Sequence, residues 1–99
     1  MIIRIVRMTF EKENIESFLQ LYNEKKSAIR NFAGCTHLEL WQHTTDPTIF
    51  FTYSSWIDEH HLEQYRISSF FRETWAKSKK WFSEKPEAWT VRQWDIVNE

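Results

Sequence analysis

Two adjacent histidines, His60 and His61, are the most obvious side chains that can exchange a proton near neutral pH. Neighbouring helix positions point about 100° apart, so the two imidazoles are badly placed to bind one metal ion. His37 and His43 lie six residues apart on one predicted strand, roughly 20 Å along it, which is too far for a shared ligand. These spacings predict no metal site and leave His61 as a candidate proton carrier.

The other reactive side chains show no sign of nucleophilic or phosphate-binding chemistry. Gly34 is the only glycine, so the chain has no glycine-rich loop that could cradle a phosphate. Cys35 is the only cysteine and has no clear base partner, and a buried, inert thiol is its expected state. The net charge is −1 and no basic stripe is present, which argues against nucleic acid as a partner.

Length and cysteine usage set the broad class of the protein. Ninety-nine residues predict one domain that spans residues 1–99. A single cysteine cannot form an internal disulfide, which is typical of the reducing cytoplasm. Charged residues interrupt every apolar run near the N-terminus, so we expect neither a signal peptide nor a membrane span.

Aromatic residues make up 17% of the chain, with six Trp and eight Phe, more than a small monomer readily buries. Trp and Tyr concentrate at protein interfaces and in ligand pockets, which predicts an aromatic interface or pocket here. Taken singly, each helical ring is better explained as an ordinary core residue. As a cluster, five aromatic residues can wall a cavity between a sheet and its helices, with His61 nearby: Tyr53, Trp56, Tyr65, Phe71 and Trp75.

A β-hairpin at the centre of the chain must position part of this cluster. Residues 36–43 and 49–56 have the composition of two strands, and a polar turn separates them. In that turn Asp46 can hydrogen-bond to nearby backbone, and Pro47 presets φ for a tight reversal. Asp58 follows the second strand and favours the start of a helix, because acidic side chains stabilise a helix N-terminus.

One strand and one helical region flank the hairpin on each side. Residues 2–9 are rich in β-branched side chains, and residues 13–31 repeat apolar side chains with the period of a helix. Gly34 lies just past this helix, where a left-handed residue is wanted. The second helical region is predicted to break around residues 68–69, and residues 88–97 are predicted to form the last strand.

The resulting order, β-α-β-β-α-β, predicts an α+β fold of the ferredoxin-like split βαβ type with an antiparallel sheet. This fold places both helical regions on one sheet face and leaves the other face bare. His37, Glu39 and Trp41 alternate with Leu38 and Leu40, so one set faces the helices and the other faces outward. A broad apolar face does not stay wet, and we expect it to be covered.

The chain resembles the antibiotic biosynthesis monooxygenase (ABM) domain family along nearly its whole length. The likeness lies in the central run GCTHLELWQHTTDPTIFFTYSSWIDEHHLEQYRISSFF, in the first strand IIRIVRMTF and in the segment FFRETWAKSKKWFSEKPEAWTV. The resemblance implies a homodimer in which two bare sheet faces pack into an α/β barrel. Family members include cofactor-independent oxygenases of polyphenols and quinols, haem-degrading enzymes, isomerases of small signalling molecules and proteins without known activity.

Two groups of family members differ from this chain at their functional positions. Haem-degrading members use an Asn in strand one, a Trp on helix two and a His further along, and the corresponding residues here are Val6, Tyr65 and Trp75. None of the three matches, which disfavours haem degradation. Quinone-forming members carry an Asn within strand three, a Trp at its end and a Tyr on the next helix.

The quinone-forming positions hold Thr52, Trp56 and Leu62 in this sequence, and only Trp56 matches. The resemblance implies a catalytic position for Trp56 and a substrate-binding position for Thr52. By the pocket argument, His61 and Tyr65 join Trp56 as catalytic candidates. The remaining substrate-binding candidates are Tyr53, Phe71 and Trp75.

The leading functional prediction is a monooxygenase that needs no cofactor and oxidises a small aromatic or quinol-type molecule with O₂. An electron-rich phenol or quinol that loses a proton in an apolar pocket can itself reduce O₂, while the protein supplies a base, orientation and exclusion of water. His61, or a hydroxyl of Tyr53 or Tyr65, is the candidate for proton removal. The alternative is a non-catalytic small-ligand binding protein, or an isomerase, of the same fold. The absence of a matching base at Thr52 and Leu62 favours that alternative.

Overall fold

The computed structural model describes all 99 residues of the chain. Its elements follow the predicted order: β1 (Ile2–Thr9), α1 (Ile15–Arg30), β2 (Cys35–Gln42), β3 (Ile49–Trp56), α2 (Glu59–Arg66), α3 (Ser69–Lys79) and β4 (Glu87–Val91). A short 3₁₀ helix, Lys12–Asn14, leads into α1. The strands form one antiparallel sheet in the order β2-β3-β1-β4, which confirms the predicted ferredoxin-like α+β fold. No helix is both long enough and apolar enough to span a membrane.

The predicted break in the second helical region is confirmed, and Ser68 explains it. Its hydroxyl donates to the Tyr65 carbonyl at 2.6 Å, which closes the end of α2. The same oxygen accepts a hydrogen bond from the Phe71 backbone N–H at 3.1 Å and so caps the start of α3. One side chain therefore sets the angle between two helices that both contribute to the cavity described below.

The last strand is shorter than predicted, because the expected span of residues 88–97 exceeds what β1 can pair with. Val91 pairs with Ile3, almost at the beginning of β1. Beyond that point the ladder has no partner strand, and the chain from residue 92 onward is irregular and exposed. The alternation of side chains after residue 91 is typical of a strand, but a strand also needs a neighbouring strand to accept and donate its backbone hydrogen bonds.

Two clusters of buried side chains hold the helices to the inner face of the sheet. The first joins Met8, Phe10, Phe18 and Phe50, with the Phe10 and Phe18 rings stacked at 4.2 Å between centroids. The second joins three residues from β2, β3 and α2, namely Cys35, Trp56 and Leu62. The space between the two clusters is not filled by side chains, and it forms the cavity.

The outer face of the sheet carries no helix, as predicted. Trp41 is 40% exposed there, and Trp89 is 44% exposed. The Trp41 ring stacks on Tyr53 at 5.0 Å, and its indole N–H donates to the Glu39 carboxylate at 2.7 Å. The other oxygen of Glu39 lies 2.5 Å from His37 Nε2. The face is therefore an ordered aromatic and polar surface that no part of this chain covers.

Candidate functional site

A cavity of about 360 Å³ lies between the inner face of the sheet and the three helices. This volume is in the usual range for small-molecule sites. Of the 21 residues that line it, 13 are hydrophobic. A mostly apolar cavity with a few polar groups is the kind of site that takes a small organic ligand.

One side of the cavity is an aromatic wall formed by Tyr65, Phe71 and Trp75. Phe71 and Trp75 are four residues apart on α3, and their rings are nearly parallel, with centroids 5.8 Å apart and planes 14° apart. Tyr65 meets Phe71 edge-on at 5.0 Å. The wall therefore offers flat ring surfaces in fixed orientations, which suit a planar aromatic ligand.

The hydroxyl of Tyr65 is the main neutral hydrogen-bonding group of this wall. Burial raises the pKa of Tyr65 well above its ordinary value of 10.0, and no hydrogen bond to protein offsets that effect. Burial also raises the pKa of Tyr22, which lines the cavity from α1. Both phenols keep their protons at neutral pH, so they act as hydrogen-bond donors and not as bases.

Four of the predicted site residues lie around this one cavity: Thr52, Tyr65, Phe71 and Trp75. Thr52 points inward from β3, since it pairs with Val6 in β1 and Leu40 in β2, which also face the helices. Thr52 was selected through the family resemblance and the three aromatic residues through the pocket argument, and all four line the same cavity. Their roles toward a ligand stay predictions.

Trp56 lies behind the aromatic wall and does not line the cavity. Its side chain is 0% exposed and packs against Cys35 and Leu62. The indole N–H donates to Ser54 Oγ at 2.9 Å, and the ring stacks on Tyr65 at 4.9 Å. The predicted position of Trp56 in the wall of the cavity is thus corrected, because α2 covers the end of β3 and Trp56 supports Tyr65 from behind.

Tyr53 points away from the cavity, because it alternates with Thr52 along β3. Its ring lies on the outer face against Trp41 and meets His37 edge-on at 6.0 Å. The predicted position of Tyr53 in the wall of the cavity is therefore corrected. Tyr53 is therefore part of the outer sheet face and would contact a partner that covers this face.

His61 also stays outside the cavity, held in the first turn of α2. Asp58 caps this helix: one carboxylate oxygen accepts from the His61 backbone N–H at 2.8 Å and lies 2.7 Å from the imidazole Nδ1. These hydrogen bonds hold the pKa of Asp58 below its ordinary value of 3.8. The backbone of Gly34 packs directly against the imidazole. The surroundings of His61 are those of a helix cap.

The remaining histidines have local partners of the same kind. His43 Nδ1 accepts from the backbone N–H groups of Thr45 and Asp46 in the hairpin turn, and His37 pairs with Glu39. No group of three or more His, Cys, Asp or Glu side chains is placed to hold a metal ion. The sulfur of Cys35 is buried, and burial raises the pKa of its thiol.

Three charged residues that sequence reasoning did not select form a charged end of the cavity: Arg4, Glu63 and Arg66. Arg66 Nη1 lies 3.2 Å from a Glu63 carboxylate oxygen, one helical turn away. Arg4 Nη1 donates to Thr90 Oγ1 at 2.9 Å. The sequence did hold one sign of this charged end. Arg4 lies on the same face of β1 as Val6 and Met8, and that inward face is expected to carry apolar side chains.

Comparisons with known proteins identify the family. Residues 1–77 match the family model described as antibiotic biosynthesis monooxygenase. A search among curated proteins found no match.

Solved structures with similar folds include three that align over nearly the whole chain. A conserved protein from Methanosarcina mazei Go1 is 22% identical with a TM-score of 0.86, covering 93% of this chain and 92% of its own. A protein described as antibiotic biosynthesis monooxygenase is 20% identical with a TM-score of 0.86, and the alignment covers 99% of this chain and 100% of that protein. Rv0793 from Mycobacterium tuberculosis is 13% identical with a TM-score of 0.86, covering 98% of each. These likenesses establish the fold, and the match over residues 1–77 shows that the chain belongs to the antibiotic biosynthesis monooxygenase family.

Proposed function

We propose that this protein is a cofactor-independent monooxygenase that oxidises a small aromatic or quinol-type substrate with O₂. The observation that carries the proposal is the cavity itself, whose aromatic wall includes the buried phenol of Tyr65, in a chain of this family. Stacking on Phe71 and Trp75 orients a planar substrate, and the Tyr65 hydroxyl donates a hydrogen bond to one of its oxygen atoms. Thr52 contributes a second polar contact from the sheet.

The proposed base is Glu63, the only carboxylate that lines the cavity. No histidine lines it, and the raised pKa of Tyr65 makes that phenol a donor at neutral pH. Glu63 is paired with Arg66 at the charged end, so a substrate that approaches this end meets both a proton acceptor and a cation. Proton removal beside a positive charge favours the anionic form of the substrate.

The chemical step balances without an external reductant. Loss of a proton leaves an electron-rich anion, and one carbon of that anion forms a bond to O₂. The O–O bond then breaks, so that one oxygen atom stays on the carbon as a carbonyl and the other leaves as water. That water takes one hydrogen from the carbon and the proton that the base removed at the start. The substrate supplies all the electrons, and the cavity excludes bulk water from the reactive anion.

The proposal includes a homodimer in which the outer sheet face of one protomer packs against the outer sheet face of its partner to form a barrel. The support is the uncovered face with its ordered Trp41, Tyr53 and Glu39 contacts. Such a surface resembles an interface core, where aromatic residues concentrate. A cytoplasmic location belongs to the same proposal and is supported by the single, unpaired Cys35.

The alternative is a non-catalytic protein that binds small aromatic ligands in the same cavity. One observation favours it: the carboxylate of the proposed base, Glu63, already has a partner in the protein, because Arg66 Nη1 lies 3.2 Å from one of its oxygen atoms. Binding without turnover would need the cavity and its aromatic wall but no free base.

Oxygen uptake separates the two functions. Protein treated with a chelator and freed of flavin is mixed with a panel of quinols, naphthols and anthrones, and O₂ consumption is compared with the auto-oxidation rate. We expect uptake above that rate for at least one compound, a fall of about 100-fold or more in Glu63→Gln and about tenfold in Tyr65→Phe. Arg72→Gln on the exposed side of α3 is the control and should match wild type. Binding of the panel without any enhanced uptake would establish the alternative.

A further inference from the structure

Arg4 is the one arginine at the charged end of the cavity that has no carboxylate partner. The ion pairs of the chain are Arg7–Glu87, His37–Glu39, Asp58–His61 and Glu63–Arg66, and none includes Arg4. Its guanidinium donates to the neutral hydroxyl of Thr90. Thr90 uses one of the five N–H donors, so most of the guanidinium remains free for a ligand.

The surroundings make an unpaired cation costly at this position. Arg4 is half-buried on the inner face of β1, in line with Val6 and Met8. Burial and the nearby positive charge of Arg66 both lower the pKa of its guanidinium, and Glu63 only partly offsets them. An arginine still keeps its charge in proteins, so the cost persists until an anion arrives.

The charges around the cavity favour an anionic ligand. Its charged lining residues are the cations Arg4, Lys25 and Arg66 and the single carboxylate of Glu63, which leaves an excess of two positive charges. The whole chain, in contrast, has a net charge of −1. Positive charge is therefore concentrated around a mostly apolar cavity, where it attracts an anion.

We propose that the ligand of this cavity is an aromatic molecule with an anionic oxygen, either a carboxylate or a phenolate, and that Arg4 binds this oxygen. The inference rests on the proposed function in that both use the same cavity. Along β1, Arg4, Val6 and Met8 run from the charged end to the buried apolar end over about 13 Å. The ligand thus places its anionic oxygen at Arg4 and its rings between β1 and the aromatic wall.

Equilibrium binding of two matched probes tests the carboxylate form of the proposal. 2-Naphthoate is anionic at neutral pH, whereas 2-naphthol has the same rings and is neutral. We expect wild type to bind 2-naphthoate more tightly, and Arg4→Gln to lose about tenfold to hundredfold affinity for it with little change for 2-naphthol. Arg72→Gln makes the same charge change outside the cavity and should behave as wild type in both titrations.

A second variant should shift the affinity in the opposite direction. Glu63→Gln removes the carboxylate that holds Arg66, so 2-naphthoate should bind several-fold more tightly although the base of the proposed reaction is lost. If Arg4→Gln does not fold, Arg4→Lys replaces it: the charge stays, the paired donors are lost, and affinity for 2-naphthoate should fall several-fold.

The phenolate form is tested by the absorption spectrum of bound 2-naphthol. Wild type should show the naphtholate band at a lower pH than Arg4→Gln does. Tighter binding of 2-naphthoate or a shifted naphtholate band, if it depends on Arg4, supports the proposal. Equal affinity for both probes together with an unshifted naphtholate band overturns it. The proposal is also overturned if Arg4→Gln has the same affinities and the same naphtholate band as Arg72→Gln.

The same measurements separate this inference from the proposed monooxygenase. Binding of 2-naphthoate that depends on Arg4, in a protein without enhanced O₂ uptake, upholds the anion site and refutes the enzyme. Turnover without any preference for an anion upholds the enzyme and refutes the role of Arg4.

Discussion

The packing of Gly34 against His61 makes a sharp prediction about the stability of the fold. Gly34 has φ of 90° at the junction between α1 and β2, and its carbonyl accepts a hydrogen bond from the Ile57 backbone N–H at 2.9 Å. A Cβ atom added there would overlap His61 Cβ and would lie 2.5 Å from His61 Cγ. Both separations are far below ordinary van der Waals contact, so Gly34→Ala forces α2 away from the sheet.

The expected cost has two parts. Alanine at this positive φ costs about 1–2 kcal/mol. The overlap adds about 1–3 kcal/mol, as overpacking of a well-filled site does. His61 Cβ is attached to the α2 backbone, so no rotation of the imidazole removes the shortest contact. We therefore expect Gly34→Ala to lower the free energy of unfolding by about 2–5 kcal/mol.

A double-mutant cycle in urea separates these parts. His61→Gly removes the Cβ atom and itself costs about 1 kcal/mol as a glycine in a helix. In that background Gly34→Ala should cost only the backbone part, about 1–2 kcal/mol. His61→Ala is the matched control, because it keeps the Cβ atom and should leave the overlap in place. An equal cost of Gly34→Ala in the wild-type, His61→Ala and His61→Gly backgrounds would refute the contact.

Three further substitutions and one titration have expected outcomes. Trp56→Phe should lower stability by about 1–3 kcal/mol through the lost hydrogen bond and packing, with activity per folded molecule nearly unchanged, measured by urea melts beside oxygen uptake. Asp58→Asn should be less stable than wild type at neutral pH, and the difference should close as pH falls below 3.8 and through the depressed pKa of Asp58. Trp41→Glu should give a monomer in sedimentation at a concentration where wild type gives about twice the chain mass, because it sets a second negative charge beside Glu39 in the proposed interface. Haemin titration should show no sharp five-coordinate histidine spectrum, since no histidine lines the cavity.

Each of these outcomes can fail in a recognisable way. A Trp56→Phe protein of normal stability and low activity would return Trp56 to the substrate site. A stability difference that widens in acid would mean that the Asp58 carboxylate is not stabilised by the fold. A wild-type protein that sediments as a monomer would refute the barrel, and stoichiometric haem binding followed by ring cleavage would refute the haem prediction.

The sequence by itself determined most of the architecture. The strand Ile49–Trp56 and the first strand have the predicted bounds, and the break before Ser69 lies where it was expected. These features depend on local chemistry: β-branched and aromatic runs, a serine that caps a helix, and one glycine that adopts φ of 90°. Local rules act over a few residues, and a sequence shows them directly.

Only the tertiary structure decided which side chains face the cavity and which lie behind it. Trp56 and Thr52 share a face of β3, yet Leu62 and Tyr65 close over Trp56 while Thr52 remains open to the cavity. Alternation along a strand shows which side chains share a face of the sheet. Whether one of them is buried or lines a cavity depends on the helix residues that pack over it. The charged end arises in the same way, because Arg4 and Arg66 are 62 positions apart and come near each other only when α2 packs on β3, the neighbour of β1 in the sheet.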